Sequence, residues 1–227
     1  MISNFPRIVR FVANFEKLGI PETLSWLTEA ELAELSFWND SSRRRQWLAG
    51  RWIAKRLVTR SSRTDSMRGV EILSRGEDGL GKSPTVSLGG IATSYRLSIS
   101  HSNQAILVGI THRDARIGVD VAAGVPNTSG FRARWFSERE IKWIESDIPI
   151  RLPVAWALKE SIFKACGNGS KWDPRSVELI AIEKNRVYGR MHGLDTDPLT
   201  MWIRATSSGA ATAVWSNIAT REVALCS

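Results

Sequence analysis

Two acids sit where acids are expensive. Asp120 lies near the end of the β-branched run Ile117-Gly118-Val119-Asp120-Val121, and Glu160 lies in the middle of Trp156-Ala157-Leu158-Lys159-Glu160-Ser161-Ile162-Phe163-Lys164. A carboxylate at the end of a buried strand is costly unless a cation or hydrogen-bond donors meet it. Hard carboxylate oxygens on rigid elements are one way to hold Mg²⁺, which takes one or two carboxylates and completes its shell with substrate phosphates and water. Each acid also has an ordinary reading. Asp120 can open the turn toward Gly124 and Pro126. Glu160 and Lys164 form an i,i+4 pair of the favourable polarity, worth about 0.2–0.5 kcal/mol.

Helical geometry places Trp156, Glu160 and Lys164 on one stripe and Ala155, Leu158, Ile162 and Ala165 on another. The second stripe is the core face. The first presents an aromatic, an acid and a base at an edge where a ligand can lie, with Lys159 beside it. An earlier helix aligns Arg44, Arg51 and Lys55 at spacings of seven and four residues. That line reads either as a solvated basic face or as a face for phosphates or an acidic partner. The segment Leu97-Ser98-Ile99-Ser100-His101-Ser102 ends a strand with a histidine between two hydroxyls. These are donors for a phosphate oxygen, or the histidine is simply a satisfied, half-buried one. Asp78 to Pro84 is expected to be a flexible loop carrying Lys82; it lacks the leading glycine and spacing of a Walker loop, so nucleoside-triphosphate hydrolysis is not supported. No His/Cys set has zinc spacing and no Ser-His-Asp arrangement stands out.

The elements that must position these residues follow from periodicity and punctuation. Residues 7–15 read as a strand, 22–35 as a helix, and 43–59 as a second helix after the turn formers Asn39, Asp40, Ser41 and Ser42. A polar stretch over 60–90 holds a short strand at 70–73. Strands are expected at 95–99, 105–111 and 117–121, with a charged turn at 112–116. Ser137 and Glu140 have capping-box spacing, which starts a helix over 138–146 and gives Glu140 a structural role. A further helix begins after Pro153 and stops at Gly167, read as a left-handed C-cap. Strands at 177–182, 186–190, 200–206 and 211–216 complete the chain. No internal repeat is obvious, and helix and strand occur in both halves, which is an α+β arrangement.

The bulk numbers fit a soluble globular protein with a sizeable core, as one large domain or two compact halves. Among the 227 residues, 31 Lys and Arg outnumber 23 Asp and Glu, for a net charge of +8. That field favours anionic partners: nucleic acid, phosphorylated cofactors, acidic proteins or membrane surfaces. Cys166 and Cys226 make no disulfide framework, which fits a reducing, cytoplasmic setting. The first twenty residues are interrupted by charges and form neither a signal peptide nor a membrane span.

Taken in order, RRRQWLAGRWIAK, GLGKSP, LSISHS, IGVDV, RWFSEREIKWI and WALKESIFKACG resemble the broad-range (Sfp-type) 4′-phosphopantetheinyl transferases over nearly the whole chain. IGVDV and WALKESIFK, separated by FSERE, are the most specific elements. The resemblance implies two similar α+β halves, 1–113 and 114–227, related by a pseudo-twofold axis, with coenzyme A in the cleft between them. It implies Asp120 and Glu160 as Mg²⁺ ligands, and Asp120, Glu160 and Lys164 as the catalytic set. Ser100 and His101 would meet coenzyme A phosphates, and Lys82 would lie near the adenosine end. Arg44, Arg51 and Lys55 would reach phosphate or 3′-phosphate, and Lys159 and Lys164 would face the pyrophosphate. The implied reaction moves the phosphopantetheine arm of coenzyme A to a serine of an acidic acyl, peptidyl or aryl carrier protein, releasing adenosine 3′,5′-bisphosphate. A cytoplasmic monomer with no nucleic-acid or membrane partner is expected. One position departs from the pattern. Many members carry a glutamate two residues after the strand aspartate, where this chain has Ala122. Two other readings stand beside the enzyme: a non-catalytic coenzyme A-binding relative, and a nucleic-acid-binding module built on the Arg/Trp-rich helix.

Overall fold

A computed structural model describes residues 8–76, 79–112, 115–167 and 171–217. In chain order the elements are β1 (Ile8–Val12), α1 (Glu29–Ser36), α2 (Ser41–Ser62), β2 (Val70–Arg75), β3 (Gly81–Leu88), β4 (Ile91–Ala92), β5 (Tyr95–Ser102) and β6 (Ala105–His112). There follow β7 (Ala115–Ala123), α3 (Ser129–Trp135), α4 (Glu138–Glu145), α5 (Ile148–Cys166), β8 (Val177–Glu183), β9 (Arg186–Met191), β10 (Leu194–Asp195), β11 (Leu199–Thr206) and β12 (Gly209–Asn217). The strands form three sheets. One has the order β1-β6-β5, one β2-β3-β4, and the largest β10-β9-β11-β12-β7 with β8 paired to β9. Among the described residues no helix is long and apolar enough to cross a membrane.

Local chemistry explains where elements begin. The helix expected from residue 22 starts only at Glu29, because Thr28 and Glu31 form a complete capping box there. Asp40 caps Arg43 N at 2.7 Å and opens α2. Of the segment expected as a flexible loop, Gly81 to Pro84 belong to β3, where Gly81 pairs with Arg75 of β2 and Lys82 stands exposed, while Asp78 lies outside the described residues. Helix α5 starts at Ile148, ahead of Pro153, with Pro149 in the first turn where no N–H is needed. Gly167 ends α5 in an extended conformation (φ −64, ψ 143), not a left-handed one. A glycine is required there because an added Cβ would lie 2.6 Å from the Phe163 carbonyl oxygen. The turn expected at 112–116 falls partly on residues 113–114, outside the described residues.

The order of elements recurs along the chain, although no repeat is obvious in the sequence. The order long helix, 3-10 turn, strand, strand, short strand, strand, strand runs from α2 to β6 and again from α5 to β12. Arg51-Trp52-Ile53-Ala54-Lys55 corresponds to Ala155-Trp156-Ala157-Leu158-Lys159, and the capping box Thr28/Glu31 corresponds to Ser137/Glu140. The repeat is held by the same contacts each time. Glu31 accepts from Lys55 Nζ at 2.5 Å and from Ile72 N at 3.0 Å. Glu140 accepts from Lys159 Nζ at 3.0 Å and from Leu179 N at 2.8 Å. A cap residue is thereby tied to the long helix and to the strand behind it, which confirms the structural reading of Glu140.

Two glycines let the elements meet. A Cβ on Gly118 of β7 would lie 1.9 Å from the Ser161 carbonyl oxygen, so the backbone of α5 rests directly on β7. A Cβ on Gly109 of β6 would lie 2.7 Å from Ile117 Cδ1, so β6 closes against β7 in the same way. Asp120 on β7 and Glu160 on α5 therefore approach through bare backbone.

Candidate active site

β7 is the last strand of its sheet, and the N–H groups on its outer side need partners. Residues of β5 supply them with hydroxyls. Val119 N donates to Ser98 Oγ at 3.0 Å, and Val121 N donates to Ser100 Oγ at 3.2 Å. Serines two apart share one strand face, so the spacing in LSISHS matches the alternate N–H groups of β7. Ser100 does one thing more: its hydroxyl donates to Asp120 Oδ1 at 2.7 Å.

Asp120 is only 3 % exposed, and its charge is met by Lys164. The Lys164 ammonium lies 3.0 Å from Asp120 Oδ1, 2.9 Å from Glu160 Oε1 and 3.2 Å from the Val119 carbonyl oxygen. One cation thus bridges the two carboxylates. Burial works against the charged Lys164, but Asp120 and Glu160 overcome it and hold the ammonium above the usual lysine value. Burial raises the Glu160 carboxyl above its usual range; Lys164 opposes the shift and the neighbouring Asp120 adds to it.

These groups open on a cleft of about 270 Å³. Ser100, His101, Asp120 and Glu160 line its polar side, while Ala122, Val125, Phe131 and Trp156 line an apolar one. Burial, then the nearby Arg43 and Lys164, depress the His101 imidazole to about 4. At neutral pH it is uncharged and offers one N–H and one acceptor. A second cleft of about 350 Å³ is lined by Lys164 together with Ser83, Pro84, Ser94, Tyr95 and Arg96, among others.

The structure brings together Ser100, His101, Asp120, Glu160 and Lys164, and separates the remaining expected residues from them. Lys82 stands next to Ser83 of the second cleft. Arg44 is half-buried and donates to the Leu35 carbonyl oxygen at 3.4 Å. Three cations expected on phosphate are instead internal. Arg51 is 3 % exposed and donates to Glu34 at 2.8 Å and to Ser74 at 2.6 Å. Lys55 is fully buried on Glu31, and Lys159 is 1 % exposed on Glu140 and the Trp135 carbonyl oxygen. A buried cation already held by its own carboxylate cannot turn to a ligand without leaving that carboxylate unpaired, at a cost of about 3–5 kcal/mol. Arg51, Lys55 and Lys159 are thus held by Glu34, Glu31 and Glu140 in this structure, apart from the group around Asp120. Ser100 directs its one O–H at Asp120 in this structure.

Two residues were missed in the sequence. Ser98 seals the β7 edge beside Ser100, and its period-two spacing was the available signal. Arg43 is exposed in the first turn of α2 and close enough to His101 to shift it. Its signal was the N-cap at Asp40, which fixes the register of that turn. Gln46, one turn on, donates to the Asn103 carbonyl oxygen at 3.2 Å and holds this end of α2 against the β5–β6 turn.

Among the described residues no group of three or more His, Cys, Asp and Glu stands together. Ala122, two residues after Asp120 on the same strand face, lines the cleft with a methyl group. The donor set nevertheless suits a hard divalent cation. Two carboxylates converge on one positive charge, and such an ion takes its other ligands from phosphate oxygens and water.

The segment from β7 to β12 carries all of this chemistry except β5. Residues 116–215 match the model of the 4′-phosphopantetheinyl transferase superfamily. No curated protein matches the chain. The superfamily match contains Asp120, Glu140, Lys159, Glu160 and Lys164; Ser98, Ser100, His101 and Arg43 lie ahead of it.

Proposed function

We propose that this chain is a 4′-phosphopantetheinyl transferase of the broad-range (Sfp-type) kind. It transfers the phosphopantetheine arm of coenzyme A to a serine of an acidic acyl, peptidyl or aryl carrier protein. The observation that carries this reading is the single ammonium of Lys164 bridging Asp120 and Glu160 in a cleft beside a neutral His101. The duplicated element order supports two halves, 1–113 and 114–227, related by a pseudo-twofold axis, with coenzyme A across their junction. The protein acts as a monomer in the cytoplasm.

The chemical problem is to bring a weak nucleophile to a polyanion while negative charge builds on the leaving group. Asp120 and Glu160 would hold Mg²⁺, whose charge, when bound, neutralises the pyrophosphate. Lys164 meets the pyrophosphate from the same side and supports the departing phosphate. His101 and Arg43 serve the phosphates at the mouth of the first cleft, and Ser83 and Pro84, with Lys82 beside them, receive the adenosine end in the second. The carrier serine oxygen forms a bond to the phosphorus that bears the pantetheine arm. The bond from that phosphorus to the bridging oxygen breaks, and adenosine 3′,5′-bisphosphate leaves. Glu160, directly or through one water, takes the serine proton. The +8 net charge favours encounter with both coenzyme A and an acidic carrier.

The test is incubation of an apo carrier protein with coenzyme A, Mg²⁺ and this protein, followed by intact mass. A gain of one phosphopantetheine on the carrier, abolished by chelation, is the expected result; an unmodified carrier across fatty-acid, polyketide and peptide types overturns the reading. A coenzyme A-binding relative without transfer is the second reading, and Ala122 is what favours it. Binding of coenzyme A without any carrier modification would select it.

A further inference from the structure

Ser98 and Ser100 perform the same structural task, one strand repeat apart, and only one of them touches the chemistry. Each accepts an N–H from the open edge of β7, from Val119 at 3.0 Å and from Val121 at 3.2 Å. Both serines are buried, at 4 % and 7 % exposure. Ser100 alone also donates to Asp120, at 2.7 Å on Oδ1. Lys164 donates to that same oxygen at 3.0 Å.

The two donors to Oδ1 differ in what they can do when a ligand arrives. Lys164 carries a long side chain, reaches Glu160 of the first cleft, and lines the second cleft. A pyrophosphate drawing its ammonium away removes one hold on Asp120. Ser100 is short, sits on a paired strand and is fixed from behind by Val121 N. Its oxygen cannot move to follow a ligand without leaving that N–H unpaired in a buried place.

We propose that Ser100 is a positioning residue for the cation site. Its hydroxyl fixes the plane of the Asp120 carboxylate so that the ligating geometry survives when Lys164 turns to a phosphate. The inference rests on the reading of Asp120 as a divalent-cation ligand. Partners that orient a metal-ligating carboxylate typically change metal affinity 10- to 100-fold when removed. The strand pairing that Ser100 also supports is shared with Ser98, so Ser98 is the internal control.

The experiment titrates Mn²⁺ into the full-length protein with saturating coenzyme A and reads free Mn²⁺ by electron paramagnetic resonance. Wild type, Ser100→Ala, Ser100→Thr and Ser98→Ala are compared, with thermal unfolding of each recorded alongside. The expected result is a Mn²⁺ dissociation constant weakened about tenfold or more by Ser100→Ala. Ser100→Thr restores it to within about twofold of wild type by keeping the hydroxyl, and Ser98→Ala lowers the melting temperature comparably while leaving Mn²⁺ affinity in place. Equal affinity in wild type and Ser100→Ala, or an equal loss in Ser98→Ala and Ser100→Ala, overturns the positioning role while the cation site itself stands. Absence of Mn²⁺ binding by the wild-type protein overturns the cation site, and the role of Ser100 with it.

Discussion

The two repeats share a clamp and differ in what stands next to it. In each, a capping-box glutamate holds a buried lysine of the long helix and the backbone of the following strand. Beside Lys55 come Arg56 and Arg60; at the same spacing beside Lys159 come Glu160 and Lys164. The strands show the same contrast. Asp120 lies opposite Thr212, and the matching register of the first repeat sets Arg10 opposite Val108. Where the second repeat has two acids and a lysine, the first has three arginines. Only the second set contains carboxylates that could ligate a cation. The scaffold is duplicated and the chemistry is not, so stability and activity should separate on mutation.

The largest effect is expected from the clamps themselves. Lys55→Met and Lys159→Met each leave a buried glutamate unpaired and should cost about 3–5 kcal/mol, measured by urea denaturation. Adding Glu31→Leu to Lys55→Met should recover much of that loss, since an apolar pair replaces the ionic one. Loss confined to one clamp would show that the repeats are not equivalent in stability.

Gly118→Ala should come next. Its Cβ would meet the Ser161 carbonyl oxygen, backbone against backbone, and overpacking of this kind costs about 1–3 kcal/mol. Because α5 must lift from β7, activity should fall by more than stability. Gly109→Ala meets side-chain tips of Ile117 and Val119, which can rotate, and should be the milder of the two in both measurements.

The sequence made part of this legible and hid the rest for physical reasons. Capping boxes are local, so Ser137 and Glu140 announced α4, and the acids stood out because Asp120 interrupts an apolar strand. Helical spacing put Arg51, Lys55 and Lys159 on defined stripes but could not say which stripe was buried. That depends on Glu31 and Glu34 of α1 and on Glu140 of α4, helices other than the ones that carry the cations. The second task of Ser100 depends on which strand edge lies alongside β5, and sheet neighbours are not written in one strand. The start of β3 passed for a loop because Gly81, Ser83 and Pro84 are turn formers; pairing of Gly81 and of Thr85 to Leu88 with β2 overrides them.

The smallest effect sharpens the comparison by pH. Glu34 belongs to the first repeat only, and Trp143 holds its place in the second. Burial alone would raise the Glu34 carboxyl, but Arg51, with Ser74 and Trp47, reverses this and leaves it below the usual glutamate value. A depressed carboxyl stabilises the fold fully above its unfolded value of 4.5 and loses that contribution as pH falls through its folded value. Glu34→Gln should therefore flatten the acid limb of a melting-temperature profile below about pH 4.5, and an unchanged limb would remove Glu34 from the account of acid stability.

Carrier modification by Asp120→Ala and Glu160→Ala, set beside Arg56→Ala and Arg60→Ala, bears most directly on the claim that only the second repeat is catalytic. With coenzyme A and Mg²⁺ present, loss of either acid should reduce the rate on the order of 10³-fold, the scale of several kcal/mol of metal-supplied charge stabilisation, with the fold retained. The two arginine variants should stay within about twofold of wild type, well inside that difference. Retained turnover in both acid variants, or an equal collapse in the arginine variants, would contradict the assignment of chemistry to Asp120, Glu160 and Lys164.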